Sequence, residues 1–279
     1  MPTVAQTLQW AVAELSAASP ADDARVDAQW LLAHLLGKNG AWLRAFAEQV
    51  VAEADFQKFC GWIARRRAGE PVAYICGCQG FWNFELEVTA DTLVPRPDTE
   101  LLVETALELL DASANNVVDL GTGTGAIALA LKSERPAWQM LATDIDAASL
   151  ALAQRNAQRL GLAISVRESC WLRDLGAEKF HLMVSNPPYI RADDPHLAGA
   201  GVRFEPLRAL VSGVDGLDAI REIVAAAPDH LCSGGWLLLE HGYDQGAAVR
   251  GLLQARGFCN VGTRRDLGGN ERVTLGRWF

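Results

Sequence analysis

The sequence predicts an α/β protein: a mostly parallel sheet with helices on both faces, preceded by a small helical N-terminal domain and a β-hairpin linker. Three observations lead there. From Asp98 onward, short apolar runs rich in Val, Leu and Ile alternate with helical stretches, the pattern of repeated βα units. Before that, residues 1–73 show helical apolar spacing and almost no strand-like alternation. Between the two, residues 74–97 break into short alternating stretches. The expected organisation is therefore a helical domain at 1–73, a linker at 74–97 and an α/β domain at 98–279.

In chain order, Val4, Leu8, Val12 and Leu15 share one helical face. Ala28, Leu31, Leu32, Leu35 and Leu36 form a second helical pattern, which Gly37 closes as a C-cap. A third helix is predicted over 53–67, ending in Arg65, Arg66 and Arg67, where cations favour the helix dipole. Phe84-Glu85-Leu86-Glu87-Val88 alternates with period two, as a half-buried strand does. Arg96 is held between Pro95 and Pro97, which restricts its backbone. Helices are then predicted over 99–110, 126–134, 147–160, 220–227 and 245–255. Strands are predicted over 117–120, 140–143, 164–166, 180–185 and 236–240, with a closing pair around Val261 and Val273.

Composition narrows the function classes. Half of the 279 residues are hydrophobic and 21% are charged, enough for a buried core and unlike a disordered chain. No apolar run approaches the ~20 residues a membrane-spanning helix needs. The first fifteen residues carry Glu14 and no basic cluster, so a cytoplasmic location is expected. A net charge of −9 disfavours a nucleic-acid substrate, because phosphate neutralisation supplies most of such affinity. Cys60, Cys76, Cys78, Cys170, Cys232 and Cys259 are expected to be reduced, mostly buried thiols, since one C-x-C pair makes a poor zinc site. No metal site is expected. His34, His181, His196 and His230 are scattered, and Glu240-His241 lacks the second histidine of a zinc motif, so a structural role is expected for it.

The strand ending at Leu120 runs into Gly121, Thr122, Gly123, Thr124 and Gly125 before the next helix. Glycines let a backbone turn sharply and approach a ligand with no Cβ in the way. Asp144 ends the following strand, where a carboxylate accepts the two ribose hydroxyls of an adenosine. The loop departs from the dinucleotide pattern and contains no P-loop Lys. It also has no basic residue to meet a pyrophosphate. A nucleoside cofactor with a positive sulfonium and no phosphate suits it better, which points to S-adenosylmethionine (SAM).

The strand over 180–185 delivers Asn186, Pro187, Pro188 and Tyr189 at its carboxyl end, where ligands bind in open α/β sheets. An amide or ring-amine nitrogen is a poor nucleophile, its lone pair delocalised into a carbonyl or ring. The Asn186 side-chain oxygen and the Pro187 carbonyl are two acceptors that would orient such an NH2 group and stabilise the charge developing on it. Consecutive prolines keep the loop rigid, and Tyr189 offers an aromatic face to a planar target.

With these residues in hand, the chain resembles the protein-(glutamine) methyltransferases that modify peptide chain release factors, the PrmC or HemK family. The resemblance is carried by the helical module, Gly69-Glu70-Pro71-Val72-Ala73-Tyr74, Val94-Pro95-Arg96-Pro97-Asp98-Thr99-Glu100, the glycine loop, residues 186–189, Arg203-Phe204-Glu205-Pro206 and Asn270-Glu271-Arg272-Val273. It implies a Rossmann-like SAM-dependent methyltransferase domain with a helical substrate-docking domain. The implied reaction is methyl transfer to the glutamine amide of the Gly-Gly-Gln motif of bacterial-type release factors. The same resemblance implies that the glycine loop and Asp144 hold SAM, Trp171 packs near the adenine, and Asn186 touches cofactor and substrate. Pro187, Pro188 and Tyr189 would complete the glutamine site. Trp171 reads equally well as core. The family often has an aspartate before that tryptophan, where this chain has Cys170. Asn-Pro-Pro-Tyr alone is shared with adenine and cytosine amino methyltransferases. A nucleic-acid methyltransferase is therefore the alternative enzyme, and a non-catalytic SAM-binding adaptor the alternative of another class.

Overall fold

Alternate residues of the central strands enter two separate cores, and this layers helices on both faces of one sheet. The computed structural model describes residues 1–18, 24–199 and 201–279. The chain clusters into two units, Met1–Cys78 with Ala198–Phe204 and Gln79–Leu197 with Glu205–Phe279.

The first unit is helical: α1 (Val4–Ala18), α2 (Ala24–Leu36), α3 (Gly40–Ala45), α4 (Glu53–Arg67) and α5 (Val72–Cys76). Gly37 follows α2 with φ +60°, as its predicted capping role requires. The face that α1 buries is rotated from expectation. Val4, Thr7, Ala11 and Leu15 are buried while Leu8 and Val12 flank them, because α1 packs on both α2 and α4 and small side chains let helix axes approach. Pro71 and the left-handed Gly77 frame the single turn of α5, so residues 74–76 are helical where extended linker was expected. The three consecutive arginines are all paired inside this unit: Arg65 with Glu70, Arg66 with Asp27 and Arg67 with Glu14.

A hairpin follows, β1 (Cys78–Phe81) and β2 (Phe84–Glu87), in the second unit from Gln79 onward, then α6 (Glu100–Leu109), β3 (Asn116–Leu120), α7 (Ala126–Glu134), β4 (Gln139–Asp144), α8 (Ala147–Leu160), β5 (Ser165–Glu168) and β6 (Phe180–Ser185). It closes with α9 (Asp218–Ala226), β7 (Leu231–Glu240), α10 (Gly246–Arg256), β8 (Cys259–Arg265) and β9 (Glu271–Arg277). The seven-stranded sheet has the order β5-β4-β3-β6-β7-β9-β8. Neighbours from β5 to β7 are parallel, and β9 is antiparallel to both β7 and β8. Val117, Leu182, Val184 and Leu238 face the core under α6 and α7. Val118, Leu120, Met183, Leu237 and Leu239 face the core under α9 and α10. The expected mostly parallel, doubly covered sheet is thus the observed one.

Two differences have local causes. Strand β7 starts at Leu231 rather than 236, because a register shift carries it through Gly234, which sits at φ +84°. Of the six free cysteines only Cys78 is fully buried, and Cys259 is exposed on the edge strand β8, against the expectation of mostly buried thiols. No helix among the described residues is long and apolar enough to cross a membrane.

Candidate active site

The chain leaves β3 toward β4 on one side, while β6 pairs with β3 on the other. A crevice opens where those two connections diverge, past the carboxyl ends of the strands. It holds about 1040 Å³ of empty volume including its mouth, and Gly121, Asp144, Trp171, Asn186, Arg96 and Arg208 are among its walls.

The glycine loop is shaped by what surrounds it. Gly121 has φ +72°, and a Cβ there would meet the Trp171 ring at 3.3 Å. Gly125 has φ +85°, and its Cβ would press on Leu129 and on Ala153 of α8, at 3.1–3.3 Å. Inside the turn, Asp119 accepts from the Thr122 hydroxyl at 2.6 Å and from the Ala128 amide at 3.2 Å. Burial pushes the Asp119 carboxyl up to about 7, opposed by those two donors. Asn156 of α8 donates to the Thr124 carbonyl at 3.0 Å, and also clips Glu87 of the hairpin to the loop.

Asp144 closes the floor. One carboxylate oxygen accepts from the Gly123 amide and the other from the Asp146 amide, each at 3.0 Å. Burial raises its pKa, the two amides opposing the shift. Trp171 adopts φ +53° and packs at the edge of the second core, its ring beside Gly121. It is therefore both core and cleft wall. Cys170 lines the cleft, its backbone amide donating to Asp174 at 3.2 Å. The Ser169 hydroxyl is engaged in the turn, donating to the Trp171 carbonyl at 2.8 Å.

The loop after β6 is only partly in the cleft. Asn186 and Pro188 line it, whereas Pro187 is buried and Tyr189 lies outside the lining. The Tyr189 hydroxyl points to Glu240 at 3.5 Å, and its carbonyl accepts from Gln245 at 3.0 Å. Burial, then the Glu240 charge, raises the tyrosine's pKa. Asn186 Nδ2 donates to the Thr99 hydroxyl at 3.1 Å, leaving Oδ1 as the acceptor. Sequence reasoning missed Thr99, Glu240, Arg96 and Arg208. Arg96 pairs with the buried Glu205, and Arg208 bridges Asp146 at 3.0 Å and the Asp91 carbonyl at 2.8 Å. Glu240 had a findable signal: it ends β7, and Leu239 pairs with Ser185 beside Asn186.

Known proteins match this arrangement along its length. Residues 6–77 match the PrmC N-terminal domain, and residues 97–200 the methyltransferase small domain. The release factor glutamine methyltransferase of Pseudomonas aeruginosa is 61% identical over 256 residues, covering 91% of this chain and 93% of that protein. The chain belongs to the release factor glutamine methyltransferase family. A relative of the same name from Escherichia coli is 45% identical over 271 residues, covering 97% of this chain and 98% of its own length. Among solved structures, the fold resembles a methyltransferase from Pyrococcus furiosus (TM-score 0.55, 17% identity, 77% of this chain, 96% of that one). It also resembles a T. thermophilus 16S rRNA methyltransferase in complex with AdoMet and guanosine (TM-score 0.53, 21% identity, 72% of this chain, 50% of that one). The family member described here is an enzyme whose methyl donor is SAM. The cleft fits that donor: a part-buried carboxylate at the end of β4, an indole wall, and a glycine turn with no cation inside it.

Proposed function

We propose that the enzyme transfers a methyl group from SAM to the side-chain amide nitrogen of the glutamine in the Gly-Gly-Gln motif of bacterial-type peptide chain release factors, and so acts on translation termination in the cytoplasm. The observation that carries the chemistry is the direction of the Asn186 amide. Its NH2 end is taken by Thr99, so its oxygen is the end available to a ligand in the cleft. A primary amide target presents two N–H donors, and acceptors complement it where further donors would not. The choice of a protein over a nucleic acid rests on the relatives' shared name and identity, together with the net charge of −9.

In this reading Gly121, Thr122, Gly123, Thr124 and Gly125 cradle the donor with their backbone, Asp144 accepts the ribose hydroxyls, and Trp171 flanks the adenine. Bound SAM supplies an electrophilic methyl on a sulfonium. Asn186 Oδ1 and the Pro187 carbonyl accept hydrogen bonds from the two amide N–H groups, which aims the nitrogen lone pair and offsets the positive charge that grows on nitrogen as its bond to the methyl carbon forms and the methyl–sulfur bond breaks, leaving a neutral thioether. Pro188 walls the glutamine side chain, and Tyr189 completes the pocket from behind. The methylated amide nitrogen is acidic and releases its proton to water, so no side-chain base is required. The helical unit of residues 1–73 docks the release factor, joined by the linker of residues 74–97 to the catalytic domain of residues 98–279.

Mass spectrometry of a purified release factor after incubation with the enzyme and SAM tests the proposal. One added methyl group on the Gly-Gly-Gln peptide is expected. An unmodified glutamine, or a methyl elsewhere on the factor, would refute it.

A further inference from the structure

Besides its sulfonium, SAM carries a carboxylate and an ammonium on its amino-acid tail. A carboxylate drawn into a cleft gives up water and needs strong donors, a cation above all. Among the described residues that line the cleft, the cations are Arg96 and Arg208. They sit at opposite ends of it.

The strand order β4-β3-β6 defines those ends. Asp144 ends β4, the glycine turn follows β3, and Asn186 follows β6. With the ribose at Asp144 and the methyl at Asn186, the amino-acid tail leaves the sulfur at the β6 end. Arg208 belongs to the β4 end, where it bridges Asp146 at 3.0 Å and the Asp91 carbonyl at 2.8 Å. Arg96 belongs to the β6 end. Its carbonyl accepts from the Thr99 amide at 3.1 Å, and the Thr99 hydroxyl holds Asn186 Nδ2 at 3.1 Å.

Arg96 is held in place from both sides. Pro95 and Pro97 restrict its backbone, and its Nη2 donates to Glu205. The Glu205 side chain is 1% exposed, and its Oε2 has no hydrogen-bond partner among the described residues. A buried carboxylate met on one oxygen only is a cost to the fold. In return it fixes the guanidinium and balances its charge, which alone would repel a nearby sulfonium. The Arg96 side chain is 42% exposed, and its Nε and Nη1 have no hydrogen-bond partner among the described residues. Such planar N–H groups match the two oxygens of a carboxylate. The carbonyl of the target amide is a poorer partner, since a cation on it would draw electrons from the nitrogen that must attack.

We propose that Arg96, fixed by the buried Glu205, binds the carboxylate of the SAM amino-acid tail and so selects the complete cofactor over adenosyl compounds that lack this group, an inference resting on the placement of the ribose at Asp144 and the methyl at Asn186.

The test is titration calorimetry with SAM and with decarboxylated SAM, which keeps the adenosine, the sulfonium and the amine. The unmodified enzyme should bind the decarboxylated compound about 5–30-fold more weakly, the lower part of the range for bonds to a charged group because the guanidinium is partly screened by water. Arg96→Met combined with Glu205→Gln removes both charges and leaves no unpaired carboxylate buried. This double variant should lose SAM affinity by the same factor of about 5–30 and bind decarboxylated SAM within about twofold of the unmodified enzyme. Arg96→Lys keeps a cation beside Glu205 but loses the planar fork. It decides by the same SAM-selective loss, about threefold or more, if the double variant does not fold. Arg208→Met should show no such selectivity.

Equal affinity of the unmodified enzyme for the two compounds overturns the proposal, and so does an equal loss of both in the double variant. A selective loss in Arg208→Met instead would assign the carboxylate to Arg208 and overturn it too. SAM affinity unchanged in the double variant, with a raised KM for the release factor, would place Arg96 on the protein substrate and overturn it. Asp144→Ala is the reference for the underlying placement and should weaken both compounds alike. If it weakens neither, that placement falls; if it weakens both while the Arg96 variants show no selectivity, only the role of Arg96 falls.

Discussion

Replacing Asp144 with alanine should weaken SAM binding by about 2 kcal/mol, or roughly 30-fold in Kd. The figure is a balance of opposed terms. In the proposed site the carboxylate accepts two ribose hydroxyls, and hydrogen bonds to a charged group contribute about 1.5–3 kcal/mol each before costs. Against this, burial already holds the Asp144 pKa above its usual value, so removing the charge relieves some desolvation. The Gly123 and Asp146 amides also lose their acceptor, which loosens the loop that must receive the cofactor. Asp144→Asn keeps one acceptor oxygen and nearly the same shape, and should lose only about 1 kcal/mol. Titration calorimetry of SAM into each variant reads these differences, and thermal melting separates loop disorder from lost contacts. Equal SAM affinity in the alanine variant and the unmodified enzyme would refute the assignment of the ribose to Asp144.

Asn186→Ala should lower kcat about 10²–10³-fold on a release factor, the usual loss for one acceptor or donor acting on the transition state; near-normal single-turnover rates would remove it from the chemistry. Gly125→Ala should destabilise the fold by about 1–3 kcal/mol, read as a denaturation midpoint, because the new Cβ must sit at positive φ against Leu129 and Ala153. Asp119 holds its proton up to about pH 7 when folded but only to its ordinary carboxylate value when unfolded. The native state therefore binds more protons across that interval, and this group's contribution to stability falls as pH rises through it. Asp119→Asn should make the melting temperature less pH-dependent between about pH 4 and 7, and an unchanged slope would contradict the buried-acid description.

Much of the fold was legible because local signals agree with the tertiary structure. Helix α8 spans the expected 147–160 because Asp146 caps its start, accepting from Ser149, and the left-handed Gly161 ends it. Strand β6 keeps its predicted bounds because 180–185 is an apolar run stopped by Asn186 and two prolines. The misses arise where packing overrides pattern. Thr7 and Ala11 take the centre of the α1 interface ahead of the larger Leu8 and Val12, which periodicity alone ranks higher. The bulge in β7 hides five strand residues behind a glycine pair. In the site, the glycine loop, Asp144 and Asn186 announce themselves through residue type and order along the chain. Thr99 and Glu240 do not: Thr99 meets Asn186 only once the turn before α6 folds beside the loop, and Glu240 comes level with that loop only once β6 and β7 pair.

The most direct test of the central claim is transfer of labelled methyl from SAM to an intact release factor, to its Gly-Gly-Gln variant with glutamine replaced by alanine, and to duplex and single-stranded DNA. The proposed reaction predicts label on the unmodified factor, none on the alanine variant and none on either DNA. Label on DNA, or equal label on the two factors, would contradict it.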